Sequence, residues 1–470
     1  MQDQRQQRLV VLATIGVAFM AGLDLFVVNV AFGDISTDFD GASTADLSWV
    51  LNAYAVVYAA LLVPFGRLAD RHGSRGIFLA GVVVFVAASL ACAFSGSVWT
   101  LVAFRALQAA GAAAMTPTSL SLLMAALPPE RRTGGVRLWA ATGAVAAAVG
   151  PVVGGLLTEL SWHWVFLINL PVGALLLVLA VRHLPRPPAA TDTRTPDLIG
   201  AGLLSLSVGL LALALVRAET WGWTGPGTGL ALLGSVLTAA LFVVRSRVHP
   251  SPVVPPDLLR IASFRRAVIA MTVFNVAFAA LLLGGILWLQ QVWGYSAMET
   301  GLAVAIGPLF VPITAVLTHR LLPAADPSRL VAVGALLCAV GAALLALTMG
   351  AERAYLTDYA PAWALTGIGV GFALPNLMAA GTRELTADRA STGSGIVTMA
   401  RQIGLVLGVG VLVAIVGDRQ GAAAQPGFTA TWWACVGVLV ATAAIAVDVR
   451  PRRRSVVGTD PAYATVGRDG

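Results

Sequence analysis

Gly66-Arg67-Leu68-Ala69-Asp70-Arg71-His72-Gly73-Ser74-Arg75 joins an apolar run over residues 48–68 to a second over 76–95. About 20 apolar residues in helical form cross the hydrocarbon core of a bilayer, so each run is long enough to span one. Between them, two glycines permit a tight turn. Asp70 is placed to cap the following helix and to pair with an arginine. The stretch reads as a charged connection between two membrane helices, and the plain alternative is an ordinary positively charged loop.

The same pattern extends over the chain. Of 470 residues, 58% are hydrophobic and 11% charged. Soluble domains carry about a quarter charged residues, too many more than this to make the chain a water-coated globule. Fourteen apolar runs stand at 9–32, 48–68, 76–95, 98–124, 138–158, 163–182, 198–216, 227–245, 267–288, 299–318, 329–349, 360–381, 391–416 and 428–448. Runs this long satisfy their backbone as helices, whereas a barrel would need short alternating strands. The fold class expected is therefore an all-α membrane protein with 14 transmembrane helices. The first run is too long for a cleaved signal and contains Asp24, so it reads as a retained span.

Composition removes several function classes. The net charge is +7, but the 30 basic residues are all arginine and lie between apolar runs, which is not a nucleic-acid-binding module. With no lysine there is no phosphate-cradling G-x-x-x-x-G-K-[ST] loop and no lysine Schiff base. Cys92, Cys338 and Cys435 sit singly in apolar runs and read as packing residues. The five histidines lack ligand spacing, so no metal and no organic cofactor is expected.

With the N-terminus placed inside, the inner segments hold 25 arginines and the outer loops three, Arg217, Arg353 and Arg419. That bias puts both termini in the cytoplasm. Sliding the chain on itself by 258 residues aligns Gly111 with Gly369, Pro117 with Pro375, Glu130-Arg131 with Asp388-Arg389, and Gly150 with Gly408. The expected organisation is an N-terminal six-helix bundle over 1–182, a linker with two extra spans over 183–255, a C-terminal six-helix bundle over 256–450 and a disordered cytoplasmic tail over 451–470. Repeated bundles with a site at their interface are a common plan among secondary transporters.

Three ionic groups fall inside spans. Asp24 lies about 22 Å along the first helix from its inner end, and Arg105 enters the fourth from outside to a matching depth. Stranded ionic groups in hydrocarbon must pair or hydrate. A carboxylate's proton affinity rises with burial and falls beside a cation, which suits a proton carrier. Asp24 and Arg105 are therefore read as partners; the alternatives are an interfacial acid with no role and a structural arginine satisfying carbonyls. Arg401, near the middle of the thirteenth span, has no acidic residue at its depth in the second half. It reads as setting a carboxylate's pKa, attracting an anion, or packing. Asn29, Asn52, Tyr54, Gln108, Gln290 and Gln402 are candidates to line a cavity. With Asp24 as its one strong anionic group, such a cavity would take cationic, neutral or zwitterionic compounds.

The quoted connection resembles the loop between spans 2 and 3 of the major facilitator superfamily, G-x-L-x-D-R-x-G-R-K, with Ser74 where a basic residue is usual. Arg105, Gln108 and Gly111 are similar to the family's span 4, although Ala109 replaces a glycine. Gly150-Pro151-Val152-Val153-Gly154-Gly155 looks like the span 5 signature of its antiporter branches. Leu23-Asp24 with Val28-Asn29-Val30-Ala31, Trp162-His163-Trp164-Val165-Phe166 with Asn169, and Arg401-Gln402 with Gly404 and Gly408 resemble the fourteen-span drug:proton antiporters.

The resemblance implies two six-helix bundles plus two linker helices, and export of drug-like or secondary-metabolite molecules against inward protons. It implies a cytoplasmic gate at Gly66, Arg67, Asp70, Arg71, Gly73 and Arg75, and a hinge or seal at Gly150, Pro151, Gly154 and Gly155. Proton gradient, small-molecule substrate and lipid bilayer are the partners expected, with the chain working as a monomer in a bacterial cytoplasmic membrane and no nucleic acid bound. The alternatives are a uniporter or importer of one metabolite on the same fold and, distantly, a membrane enzyme or sensor, for which no catalytic constellation is visible.

Overall fold

The computed structural model describes residues 2–39, 42–185, 195, 197–322, 325–382, 385, 387–417, 419 and 421–447. The tail at 451–470 lies outside them. In chain order the helices are α1 (Gln2–Val30), α2 (Phe32–Asp38), α3 (Thr44–His72), α4 (Ser74–Ala93), α5 (Val98–Ala126), α6 (Pro129–Leu160), α7 (Trp164–Leu167), α8 (Asn169–His183) and α9 (Leu198–Trp221). They continue with α10 (Pro226–Val248), α11 (Pro256–Arg260), α12 (Ala262–Gln291), α13 (Ala297–Leu321), α14 (Pro327–Thr348), α15 (Ala360–Thr382), α16 (Ala387–Val416) and α17 (Gln425–Val447). Among the described residues there is no strand. A helix stands over each of the fourteen apolar runs. Among the described residues thirteen are long and apolar enough to cross a membrane, and in α6 the apolar part is the shorter Val145–Leu160.

The helix ends follow local chemistry. The hydroxyls of Ser43, Ser97 and Ser296 accept backbone N–H groups at the starts of α3, α5 and α13, the last two as reciprocal capping boxes. Proline opens α6, α10, α11 and α14, where its missing N–H costs no helical bond. Several helices outrun their apolar core: α12 has 30 residues and is about 45 Å long, well past the bilayer core. Hydropathy sees only the apolar middle of such a helix.

The quoted connection is the main departure from expectation. It is helical almost throughout, because α3 runs to His72 and α4 begins at Ser74. Gly73 alone makes the turn, at φ +92°, a conformation that glycine adopts without penalty. Asp70 therefore lies inside α3 and does not cap α4, whose N-cap is Gly73 with no side-chain bond. The side chain of Asp70 lies outside the described residues.

In the first half α1 packs on α5, α6 and α8, and α5 packs on α3 and α4. In the second half α12 packs on α16 and α17, while α14 packs on α15 and α17. The two most extensive contacts between the halves among the described residues are α3 with α16 and α6 with α13. The 258-residue offset turns α3 into α13 and α6 into α16, so these contacts exchange, as a two-fold relation between halves requires. Close small-residue crossings repeat as well. A Cβ on Gly81 would lie 2.9 Å from the Gly111 carbonyl, and one on Gly334 would lie 2.5 Å from that of Gly369.

The two extra spans lie outside this frame. α9 rests against α3 and α16 at the back of the seam, and α10 packs on α9. Leu230, Leu233 and Leu237 of α10 are exposed, as lipid-facing residues should be. Asp197 caps α9 and takes Nε of Arg245 at 2.5 Å, tying the two extra spans together. Arg217 pairs with Asp46, and Arg67 donates to Ser251, anchoring the linker to α3.

Candidate functional site

Asp24 is fully buried on α1, where that helix packs on α5 and α8. Arg105 Nη1 donates to Asp24 Oδ2 at 2.6 Å, with both side chains at 0% exposure. Gln108 stands three residues on, one helical turn away on the same face of α5. Its Nε2 donates to Asp24 Oδ1 at 2.8 Å and to Ser89 Oγ at 2.7 Å, and its Oε1 accepts from Arg105 Nη1 at 2.6 Å. Asn169 Nδ2 adds a bond to Asp24 Oδ1 at 2.9 Å. Arg105 Nε donates to the Val50 carbonyl at 3.2 Å, and its guanidinium lies 4.2 Å from the Tyr54 ring centre. The cation thus binds a carboxylate, a carbonyl, an amide and a π face, the mixture that makes a buried arginine tolerable.

Two members of this network are not site candidates on sequence alone. Ser89 is a hydroxyl within the apolar run of α4. Asn169 stands out only as part of the motif with residues 162–166. It is the first residue of α8, just past the break at Ile168 that separates α7 from α8.

A small central cavity of about 40 Å³ lies between the halves, lined from α1, α3 and α5 on one side and α12 and α16 on the other. Leu25, Phe26, Phe278 and Leu282 supply apolar wall. The polar wall is Asn29, Asn52, Arg105 and Arg401. Asn29 spends its amide on the Leu25 carbonyl at 2.7 Å. Asn52 is fully buried with neither amide atom bonded, and Arg105 Nη2 is likewise buried without a partner.

Asp24 is not part of this wall. It sits behind Arg105, so the surface offered to a solute is guanidinium and amide; the expectation of an anionic cavity is corrected on this point. Tyr54 and Gln108 stand in the layer behind Arg105. Gln402 is buried beside Arg401 with Oε1 unbonded, outside the wall. Gln290 is remote, at the end of α12, donating to the Val30 carbonyl at 3.0 Å.

Gly150, Pro151, Gly154 and Gly155 form a seam where α6 meets α1 and α13. Cβ atoms at Gly150 and Gly154 would fall 2.6 Å from Phe26 Cβ and 2.9 Å from the Val27 carbonyl. At Gly155 the obstacle is the Ala297 carbonyl at 2.7 Å, and from the other side a Cβ on Gly301 would lie 2.2 Å from the Pro151 carbonyl. The same end of the molecule carries the Gln290–Val30 bond and a bond from Met298 N–H to Glu159 Oε1 at 3.2 Å. Nearby Asp34, in α2 beyond the first span, has its carboxyl pushed above the ordinary range by partial burial and by the Glu159 charge. At the opposite end Arg75 donates to the Val181 carbonyl at 2.6 Å. Arg67 reaches the linker, Arg71 is half-buried, and a Cβ on Gly66 would meet the Pro117 side chain at 3.8 Å.

Two helical halves around a central cavity, with a buried ion pair at its edge, are the plan of a secondary membrane transporter. The sequence matches the Major Facilitator Superfamily over residues 14–409, and the chain belongs to that family. It is 34% identical to the methylenomycin A resistance protein of Streptomyces coelicolor over 93% of this chain and 92% of that one. It is 33% identical to the cephamycin export protein CmcT of Amycolatopsis lactamdurans, over 91% and 89%. Its fold is similar to that of PepTSo, a POT family transporter, at a TM-score of 0.68 and 14% identity, covering 95% of this chain and 97% of that one.

Proposed function

We propose that this protein exports drug-like or antibiotic small molecules across a bacterial cytoplasmic membrane in exchange for protons, as a monomer with both termini in the cytoplasm. The observation that carries the reading is the Asp24–Arg105 pair, ionic, wholly buried and edging the central cavity. The printed names of relatives spanning most of the chain, resistance and export proteins, support the outward direction. Solutes leave chemically unchanged, so no catalytic group is needed.

In this mechanism Asp24 takes a proton when the cavity opens outward, which releases Arg105 Nη1. It returns the proton inside, where the cage of Arg105, Gln108 and Asn169 re-forms around the carboxylate. The glycine seam at α1, α6 and α13 opens and closes one end, and the single-glycine turn at Gly73 couples α3 to α4 at the other. In everted membrane vesicles, an imposed ΔpH should drive solute accumulation and an uncoupler should collapse it. Asp24→Asn should abolish ΔpH-driven transport at normal expression. Proton-driven accumulation persisting in that variant removes Asp24 from the coupling step.

A further inference from the structure

The cavity wall carries cationic and amide donors that no described protein group satisfies, and no acidic side chain among its described residues. Arg401, on α16, lines it with no hydrogen-bond or ion-pair partner among the described residues, and its Nε is buried. The titratable group in electrostatic reach of Arg401 is Tyr58, a neutral phenol that itself donates to Thr116 at 3.2 Å. Across the cavity the charge of Arg105 is met by Asp24, yet Nη2 of Arg105 is unbonded, and Asn52 has both amide atoms free at 0% exposure.

A buried donor left without an acceptor carries its full desolvation cost, and a guanidinium in a membrane-embedded cavity needs a counter-charge or water. The acceptor missing here is therefore on the solute. Arginine forks match carboxylate geometry, and Leu25, Phe26 and Phe278 offer the apolar contact a hydrophobic body would use.

We propose that the solute of this cavity is an amphipathic organic anion, its carboxylate held by Arg401 with Asn52 and Arg105 Nη2 and its apolar body lodged against α1 and α12. The inference rests on the export reading only for the direction of movement. The anion site itself is testable by binding alone.

The test uses the purified full chain in detergent and three matched probes, 2-naphthoate, 2-naphthamide and the cation 2-naphthylmethylammonium, titrated calorimetrically. Naphthoate should bind at least about tenfold more tightly than the other two, as expected for a charge-assisted bond made in place of a neutral one. Arg401→Gln should bring naphthoate down to the level of the amide, and a circular-dichroism spectrum and thermal midpoint like those of the wild type show that the variant is folded. Arg401→Lys should keep part of the preference.

Equal or tighter binding of the ammonium probe, naphthoate affinity indifferent to Arg401→Gln, or no naphthoate binding at millimolar concentration would each overturn the proposal. The two readings separate in vesicles. ΔpH-driven export of a cationic dye with no naphthoate binding sinks the anion site and keeps export. Naphthoate binding without ΔpH-driven movement of any solute sinks proton-coupled export and keeps the anion site.

Discussion

Asp24 and Arg105 stand 81 positions apart in the sequence, on α1 and α5, and meet directly. Their pairing is directional as well as electrostatic, because Arg105 uses Nε on a carbonyl and Nη1 on two oxygens at once. A lysine ammonium cannot divide itself along those directions. Arg105→Lys should therefore lose transport despite the conserved charge. Arg105→Ala, which leaves the carboxylate unpaired, should cost roughly 3–5 kcal/mol of stability. Thermal unfolding in detergent should rank wild type above Arg105→Lys, and Arg105→Lys above Arg105→Ala. A lysine variant with normal efflux contradicts the directional account. Gln108 and Asn169 finish the cage as neutral donors, so their alanine variants should slow transport less than Asp24→Asn does.

At the scale of elements, the crossing of α6 with α13 relies on backbone approach. Real Cβ atoms do not come within 3.0 Å of a neighbour, and a methyl on Gly301 would sit 2.2 Å from the Pro151 carbonyl. Gly301→Ala should hold that end apart at a cost of about 1–3 kcal/mol, typical of overpacking. Spin labels on the exposed residues Leu160 and Met298 should report a longer distance than in wild type. An unchanged distance rules out the seam as the closing contact.

The same end should respond to pH. The carboxyl of Asp34 in the folded protein titrates above its ordinary value, so the protonated form favours the folded state. As pH rises from the ordinary carboxylate range, about 4, through the raised value, that contribution is lost; as pH falls it returns. Glu159→Gln removes the repulsive part and leaves the burial part. The loss of thermal stability as pH rises through this range should shrink in that variant without vanishing.

Over the whole molecule, a single two-fold relation organises two halves, and the linker spans attach at the back of the seam. The cavity is a property of that arrangement, since its walls come from both halves and no one helix contains it. The arginine bias predicts the placement of the whole chain in the membrane. Reporter fusions at either terminus should be active only as cytoplasmic reporters, and fusions beside Arg217 or Arg353 only as external ones. Activity of a terminal fusion on the outer side reverses the orientation, and with it the side from which Asp24 is expected to load.

The sequence by itself determined the solvent of this chain, the positions of its fourteen spans and the repeat that relates its halves. These are additive properties of local stretches: hydrophobic length, arginine placement and self-similarity. It also indicated that Asp24 and Arg105 should pair, because depth along a helix follows from residue count. Only the tertiary structure decided which groups face the solute. The rotation of each helix about its axis is set by its neighbours, so it hides Asp24 behind Arg105, leaves Asn52 and Arg401 open to the cavity, and sends Gln290 to the end of the bundle. The turn at Gly73 was likewise beyond hydropathy, because charged helical turns outside the bilayer core have the composition of a loop and the backbone of a helix.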